Sequence, residues 1–393
     1  MFEQLYGHAS VLDQLQKDIE QKKLPSAILI YGEQYVGRMT TAVEIARLLS
    51  CERGGDGDCD CKRCRQQRTL QDPYMMILTS RDHLPEIEAA YDSFKREKNH
   101  GTHILFIRSV RLLISQYHSI FLSVCQADKK KLFVLASEID DDLYQFLSSS
   151  IHDEEIEKVI NLAKKIVQKC RKLAAGAYKH LPVSYIRMIT HWTHETAGDM
   201  TRVVIIEGID EFHEAATNSM LKILEEPPNN VYFILIAKNR NLIIPTILSR
   251  VRSYYEGERS EECEGTIIEQ VYHDDADAYD SLKTFFAAKH GIDCRRIREQ
   301  AEDFLFTALS RRMISRIGIE KIITDIIKKE QMKMFFTEIA AVLEEEVEDG
   351  YISADVAEII MHTMADLLHK SVTYHQADAL LMETLYYRIA ELI

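Results

Sequence analysis

The stretch AILIYGEQYVGRMT, residues 27–40, joins a short apolar run to a glycine loop and the start of a helix. The run from Ala27 to Tyr31 is typical of a strand that is buried on both faces. Gly32 and Gly37 bound the loop, and a helical pattern resumes from Thr40 to Leu49. A buried strand that leads into a helix through a glycine loop opens many parallel α/β nucleotide-binding domains. The sequence therefore predicts an α/β domain with a parallel sheet and a phosphate loop.

The residues after the second glycine depart from a working phosphate loop. In such a loop a lysine reaches the β- and γ-phosphate oxygens, and the next serine or threonine binds magnesium. Arg38 and Met39 hold those two positions, and Thr40 comes one residue late. Arginine lacks the compact ammonium of lysine, and a thioether is a poor ligand for a hard cation. We expect Gly32, Gly37, Arg38 and Thr40 to form a degenerate loop that does not support ATP hydrolysis.

A second sign of degeneracy follows another buried apolar run, Val203 to Ile206. A working ATPase ends this strand with an aspartate that supports the metal and a glutamate that polarises the attacking water. Glu207 and Gly208 stand there instead, and Asp210 and Glu211 come two and three residues later. Since glycine has no side chain that can polarise water, the sequence predicts no intrinsic ATPase activity.

Four of the eight cysteines lie within 14 residues, and they are Cys51, Cys59, Cys61 and Cys64. Four thiolates suit the tetrahedral coordination of Zn²⁺, and the glycine-rich segment 54–57 lets the chain turn back on itself. We expect a structural zinc site, because four thiolates leave no open position for water. The gap between Cys59 and Cys61 is short for simultaneous ligation, and four free or buried thiols are the alternative.

The charge balance bears on the choice of partner. The chain has 393 residues, a net charge of −14 and a pI near 5.6. Affinity for nucleic acid depends largely on basic surfaces, so direct binding of DNA is not the expected main activity. No apolar run reaches the roughly 18 residues of a membrane span. The N-terminus lacks the apolar region of a signal peptide, so we expect a cytoplasmic protein without a membrane partner.

Residues 88–180 have a helical pattern that interrupts the α/β pattern. An apolar stripe at helical spacing predicts a helix from about Asp153 to Ala175. Leu112 to Val124 and Leu143 to Leu147 also favour helices, with an acidic turn between them at residues 138–142. From residue 258 to the end of the chain, only amphipathic helices are expected.

Two further segments resemble sequence motifs of a known protein family. Asn218 to Pro228 resembles the N-A-L-L-K-x-L-E-E-P-P helix of the AAA+ clamp-loader family, and Pro245 to Val251 resembles its T-I-L-S-R-C motif. Leu5 to His8 resembles a short family box near the adenine site. Together with the loop and the cysteines, these residues make the chain similar to bacterial DNA polymerase III clamp-loader subunits. The similarity is closer to delta-prime subunits than to gamma/tau subunits.

The resemblance implies a role for Arg250. In the family, the arginine of the S-R-C motif enters the ATP site of the neighbouring subunit as an arginine finger, where a guanidinium offsets charge on the transferring phosphoryl group. Arg250 matches this position, Ser249 precedes it, and Val251 replaces the family's cysteine. The alternative is an ordinary surface arginine beside Arg252.

The resemblance also implies an organisation and a set of partners. We expect an AAA+ α/β domain at 1–257, with a four-cysteine zinc module at 51–64 and the helical insertion at about 88–180. A small helical lid at 258–291 and an all-α collar at 292–393 would follow. The implied partners are gamma/tau and delta subunits in a hetero-oligomeric ring, and through that ring the sliding clamp and primed DNA.

Two other functions compete with this interpretation. One is an active gamma/tau-type ATPase, in which Arg38 and Thr40 replace the usual lysine and serine and Glu207 serves the metal. The other is an interaction scaffold that keeps the AAA+ fold without a role in clamp loading. ATPase activity of the isolated chain distinguishes the first, and the effect of Arg250 on a neighbour's ATPase activity distinguishes the second.

Overall fold

The structure is a computed structural model that describes residues 9–21, 23–55, 59–149, 156–178, 180–194, 200–310, 332–374 and 378–392. The chain forms two compact units, Met1–His290 and Gly291–Ile393. The family box at Leu5 to His8 lies outside the described residues. The finer division into an α/β domain, a lid and a collar stays a prediction.

A five-stranded parallel sheet lies at the centre of the first unit. Its strands are β1 (Ala27–Tyr31), β2 (Met75–Leu78), β3 (Arg202–Glu207), β4 (Val231–Ala237) and β5 (Arg252–Tyr255). Their order is β2-β3-β4-β1-β5, and every neighbouring pair is parallel. Two of the three central strands, β1 and β3, contain the apolar runs from which the sequence analysis predicts buried strands. The predicted α/β fold class is thus confirmed.

The two edge strands were missing from the sequence prediction. β2 has four residues, too few for a distinct pattern. In β5 only Tyr254 is buried, so the segment lacks an apolar run. An edge strand pairs with a neighbour on one side only, so its side chains can stay partly exposed. It therefore needs fewer apolar residues than a central strand.

Helices cover both faces of the sheet. In the first unit these are α1 (Ala9–Glu20), α2 (Arg38–Ser50), α3 (Lys62–Arg68), α4 (Leu84–Arg96), α5 (His100–Ile114), α6 (Lys130–Ser148), α7 (Ile156–Ala175), α8 (Val183–His194), α9 (Glu214–Glu225), α10 (Pro245–Leu248), α11 (Glu261–Gln270) and α12 (Leu282–Lys289). Side chains of a strand alternate between its faces. Ile28 and Ile30 pack with α2, whereas Ala27 and Leu29 face the larger core that contains the insertion helices.

The helical insertion is confirmed, with two corrections. The described part of the helix predicted from Asp153 begins at Ile156 and ends at Ala175 as expected. The helix predicted from Leu112 to Val124 is wrong, because α5 ends at Ile114 and short 3₁₀ turns follow. The acidic turn at 138–142 is also wrong. These residues lie within α6, where Glu138 and Asp142 form salt bridges with Lys169 of α7 and the chain stays helical.

The segment that follows the sheet packs on the insertion and on the phosphate loop. Phe285 and Phe286 of α12 lie in a cluster with Ile267 and Ile268 of α11, against which Tyr35 of the loop also packs. Salt bridges add to this contact, since Asp274 binds Lys289 and Arg96. The loop, the insertion and the two following helices therefore belong to one packed unit.

The second unit is helical throughout its described residues. Its helices are α13 (Cys294–Leu309), α14 (Met332–Glu348), α15 (Ala354–Tyr374) and α16 (Asp378–Glu391). They enclose a separate core that includes Phe304, Phe335 and Leu385. Over the ranges that the structure describes, no helix is both long enough and apolar enough to cross a bilayer.

Candidate functional site

The phosphate loop needs glycine at both ends. Gly37 is the residue before α2 and has a φ of 109°, which side chains rarely tolerate. At Gly32 a Cβ atom would lie 2.1 Å from the backbone oxygen of Glu256. The chain thus keeps the loop's backbone shape even though the side chains after Gly37 have changed.

The three residues after Gly37 point in different directions. Met39 is buried in the core between the sheet and α2, so its thioether is part of the packing and is not available to a metal. Thr40 is exposed on the surface of α2. Arg38 is buried, and its burial lowers its pKa, against the opposing effects of Glu207 and Asp210. The structure thus keeps a cation close to the loop but does not place Thr40 where the magnesium-binding hydroxyl would be needed.

Glu207 at the end of β3 is already paired. Nε of Arg81 lies 3.1 Å from its Oε1, and the Thr79 hydroxyl donates a hydrogen bond of 2.7 Å to its Oε2. Arg81 also binds Glu86. Burial alone would raise the pKa of Glu207, but the Arg81 guanidinium and the Thr79 hydroxyl keep that pKa below its ordinary value. Glu207 is therefore an ionised carboxylate whose counter-ion is a residue of the same chain.

Arg81 and Thr79 were missed by the sequence analysis. They follow β2, and β2 pairs with β3 through Leu78 and Ile206. The strand ends therefore meet at one edge of the sheet, which brings Arg81 to Glu207 across 126 positions of sequence. Identifying β2 in the sequence would have located this pair.

His83 completes the polar cluster beside Glu207. Its Nε2 lies 3.1 Å from the Thr79 hydroxyl. Burial and the nearby Arg81 lower the pKa of His83 to about 3, so the imidazole is neutral at physiological pH. His83 thus adds no positive charge to the cluster, and Arg81 remains the cation in contact with Glu207.

The acidic residues after Glu207 have structural partners. Gly208 has a φ of 80°, and Asp210 follows in a short 3₁₀ turn. Oδ2 of Asp210 accepts the backbone N–H groups of Lys238 and Asn239, at 2.9 and 3.0 Å. Asp210 therefore ties the end of β3 to the end of β4.

Arg259 holds the phosphate loop to the segment after the sheet. Its Nη1 donates a hydrogen bond of 2.6 Å to the backbone oxygen of Tyr35. Its Nη2 lies so close to Gly37 that a Cβ atom there would approach it to 2.3 Å. The ring of Tyr35 stacks on Phe286, with ring centroids 4.7 Å apart. The loop is thus fixed by contacts within the chain.

A buried carboxyl group lies beneath the loop. Glu256 follows β5, has no exposed surface, and neither of its carboxyl oxygens has a hydrogen-bond partner among the described residues. Burial raises the pKa of Glu256 to about 7, against the opposing effects of the Arg259 and Arg38 guanidinium groups. This group changes charge near neutral pH, a property that the sequence alone did not indicate.

Arg250 and Ser249 lie where the strands of the sheet begin, at the opposite end from the phosphate loop. They precede β5, whereas the phosphate loop follows the neighbouring parallel strand β1. The six residues from Arg250 to Tyr255, of which the last four form β5, span at most about 16 Å along the sheet. Arg250 is therefore separated from its own chain's phosphate loop by the length of the strand.

The Arg250 guanidinium has three partners at this end of the sheet. Its Nε lies 2.9 Å from a carboxylate oxygen of Glu225, and its Nη1 contacts the backbone oxygen of Thr246 and the Ser249 hydroxyl. Glu225 ends α9, the helix of the N-A-L-L-K-like motif. The structure thus brings the two family-like motifs into direct contact.

The four clustered cysteines come together in space. Their Sγ atoms all lie within 4.8 Å of one another, and those of Cys51 and Cys59 are 3.6 Å apart. Zn–S distances of about 2.3 Å place the sulfurs of a tetrahedral site roughly 3.8 Å apart, so the group fits a zinc ion. The short spacing between Cys59 and Cys61 does not keep these two residues from facing the same point. The cluster can hold a metal ion.

Backbone N–H groups also favour thiolates in this cluster. The N–H of Cys64 donates to Sγ of Cys61, and the N–H of Arg53 donates to Sγ of Cys51, both at 3.4 Å. Burial opposes ionisation of Cys61, but backbone N–H groups of Cys64 and Glu52 lower its pKa to about 6. Metal ligands must be deprotonated, so the contacts of Cys61 suit a metal site, whereas burial raises the pKa of Cys64.

Comparison with protein families gives one match that covers more than half of the chain. The model described as "DNA polymerase III, delta subunit" matches residues 7–120 and 148–255. The matched segments include the phosphate loop, the cysteine cluster and Arg250. The gap between them falls within the helical insertion.

Curated relatives match over shorter stretches. The DNA polymerase III subunit delta′ of Buchnera aphidicola is 38% identical over 79 residues, which is 20% of this chain and 24% of that protein. The delta′ subunit of Haemophilus influenzae is 37% identical over 73 residues, or 18% of this chain and 22% of that protein. An uncharacterised Mycoplasma pneumoniae protein is 36% identical over 58 residues, 15% of this chain and 23% of that protein. The chain spans about a quarter of the length of these relatives.

Among solved structures, a gamma subunit-related protein of DNA polymerase III from Thermotoga maritima aligns with 97% of this chain and 98% of its own. The sequence identity is 11% and the TM-score is 0.40.

Proposed function

The chain belongs to the family described as DNA polymerase III, delta subunit, and on that premise we propose that it is a clamp-loader subunit without ATPase activity of its own. It donates Arg250 to the ATP site of a neighbouring subunit and helps to load the sliding clamp on primed DNA. Its direct partners are gamma/tau and delta subunits in a hetero-oligomeric ring. The lid at 258–291 and the collar at 292–393 complete the subunit.

The observation that carries this proposal is the ion pair between Arg81 and Glu207. A working site uses the acidic residue at this strand end to support Mg²⁺, which neutralises the phosphates during transfer. Arg81 supplies a fixed positive charge at the carboxylate, so a magnesium ion there would meet a cation at close range. Gly208 offers no carboxylate for the attacking water. Both features oppose hydrolysis at this chain's own loop.

The contacts of the loop support a rigid role for the subunit. In an ATPase, the bound nucleotide contributes to holding the lid against the core. Here Arg259 and the stacked pair of Tyr35 and Phe286 connect the loop to α11 and α12 within one chain. The subunit can therefore keep one conformation whether or not nucleotide is present.

The position of Arg250 supports action on a neighbour. It lies at the end of the sheet opposite the phosphate loop, so it cannot serve its own chain's loop without a large movement. Its pairing with Glu225 is partly exposed, and such ion pairs contribute only about 0–1 kcal/mol. A phosphoryl group of a neighbouring subunit could displace that carboxylate at little energetic cost.

The zinc ion has a structural role in this proposal. Four thiolates would saturate it, so it would supply no catalytic position. Cys51, Cys59, Cys61 and Cys64 would hold it beside α2, the helix that begins at the phosphate loop.

The direct test is the steady-state ATPase rate of the purified chain. We expect no turnover above that of a buffer blank, with or without a primed DNA template. Turnover that is lost in an Arg38→Ala variant would contradict the proposal and establish an active gamma/tau-type ATPase.

A further inference from the structure

A buried arginine touches the cysteine cluster without being one of its ligands. Arg47 lies in the last turn of α2 and is only 3% exposed. Its Nη1 lies 3.4 Å from Sγ of Cys64, and its Nη2 lies 3.4 Å from the backbone oxygen of Gly55. One guanidinium thus contacts both a cysteine sulfur and the loop that connects Cys51 to Cys59.

The charge of a filled cluster explains why a cation is needed there. Four thiolates around one Zn²⁺ leave a net charge of −2. The carboxyl end of a helix carries a further partial negative charge, and Cys51 directly follows α2. Both effects disfavour a metal thiolate group in a largely buried place. The Arg47 guanidinium offsets them and donates an N–H to Cys64, as a charge-assisted hydrogen bond requires.

Glu44 fixes the orientation of Arg47. Its carboxylate accepts bonds from Nε and Nη2 of Arg47, at 2.6 to 3.0 Å, which leaves Nη1 directed at Cys64. The Glu44 side chain is 22% exposed and that of Arg47 4% exposed, so water screens the carboxylate more than the guanidinium. Glu44, Arg47 and Cys64 thus form a line of hydrogen-bonded side chains that runs from the solvent to the sulfur.

We propose that Arg47 is a positioning residue of the metal site, which stabilises the zinc-bound thiolate of Cys64 and anchors the site to the phosphate-loop helix. The residue does not bind the metal itself. Groups that hydrogen-bond to metal ligands typically change metal affinity by 10–100-fold when they are removed. An arginine that only fills space at the end of α2 would change the stability of the fold but not the affinity for zinc.

The test compares zinc affinity in the full chain by competition with a colorimetric chelator. We expect Arg47→Met to bind zinc 10–100-fold more weakly than the wild type. Arg47→Lys, which keeps the charge but not the planar fork, should lose less affinity. Lys62→Met is the matched control, because Lys62 is an exposed cation on α3 next to Cys61. This control should bind zinc like the wild type.

A second measurement separates a local effect from misfolding. Cobalt in place of zinc gives sulfur-to-metal absorption bands, and these should shift in Arg47→Lys, a variant that keeps the buried charge and the fold. Unchanged zinc affinity and unchanged bands in both Arg47 variants would overturn the role of Arg47. A wild-type chain that binds no zinc would overturn the metal site itself, and it would leave the proposed clamp-loader role untouched.

Discussion

The Nε atom of Arg81 lies 3.1 Å from Oε1 of Glu207, at the edge of the sheet where β2 and β3 both end. Both side chains are largely buried. An ATPase of this fold uses an acidic residue at this strand end to support its metal ion. In this chain, the positive charge of Arg81 lies beside that carboxylate instead.

Removing Arg81 should destabilise the protein strongly. Loss of one partner of a buried ion pair leaves an uncompensated charge, which typically costs about 3–5 kcal/mol. We therefore expect Arg81→Met to lower the free energy of unfolding by that amount in urea titrations at pH 7. The control is Arg65→Met, whose pair with Asp60 is exposed and should change the same quantity by less than about 1 kcal/mol. Equal effects of the two substitutions would show that the Arg81 pair contributes nothing special.

Restoring the usual loop residues should not restore catalysis. We expect a double variant, Arg38→Lys with Met39→Thr, to show no steady-state ATP hydrolysis, because Glu207 stays paired with Arg81 and Gly208 still lacks a carboxylate. Circular dichroism should first establish that the variant is folded, since Met39 is part of the core. If this variant turned over ATP, the loop alone would account for the lost activity, and the Arg81 pair would not.

The sequence predicted the part of the site that lies in continuous segments. β1, the glycine loop and α2 follow one another, so their residue types were sufficient to predict a glycine loop between a buried strand and a helix. The clustered cysteines are equally local. Arg81, by contrast, meets Glu207 only through the pairing of β2 with β3, and β2 is too short to show a pattern.

The contacts of Arg259 and Glu256 were unpredictable for a related reason. Both residues follow β5, an edge strand with a single buried residue. Without that strand, nothing in the sequence places the segment after it beneath the phosphate loop. The error at residues 138–142 has another cause, because a run of acids predicts an exposed turn, whereas Lys165 and Lys169 of α7 balance its charge within a helix.

Glu256 should give the protein a stability that depends on pH. Its pKa is raised from an ordinary 4.5 to about 7 by burial. Between these values the folded state binds more protons than the unfolded state, so stability falls as the pH rises, and the loss is complete above about pH 7. The total is on the order of 3 kcal/mol, since one pKa unit corresponds to about 1.4 kcal/mol.

The variant Glu256→Gln tests this dependence, since its amide resembles the protonated carboxyl group. We expect its free energy of unfolding to match that of the wild type near pH 4 and to exceed it at pH 8. Urea titrations at both pH values measure the difference. A constant difference between the two proteins across this range would mean that Glu256 does not titrate in it.

The metal site should depend on each clustered cysteine. We expect about one zinc ion per wild-type chain and a large loss of zinc in Cys59→Ser, as measured by elemental analysis after dialysis against a mild chelator. Cys125→Ser is the control, because Cys125 lies outside the cluster, and its zinc content should be unchanged. Full zinc content in Cys59→Ser would show that the short spacing to Cys61 excludes Cys59 from the site.

The central claim is that Arg250 acts on the ATP of a neighbouring subunit, and the most direct measurement is the ATPase rate of a reconstituted clamp loader that contains this chain. We expect Arg250→Ala to lower the rate at the affected site by roughly 10³-fold or more. Arg252→Ala is the matched control, because that nearby arginine pairs with Asp18 and should leave the rate unchanged. An assembled loader with Arg250→Ala that hydrolyses ATP at the wild-type rate would contradict the account.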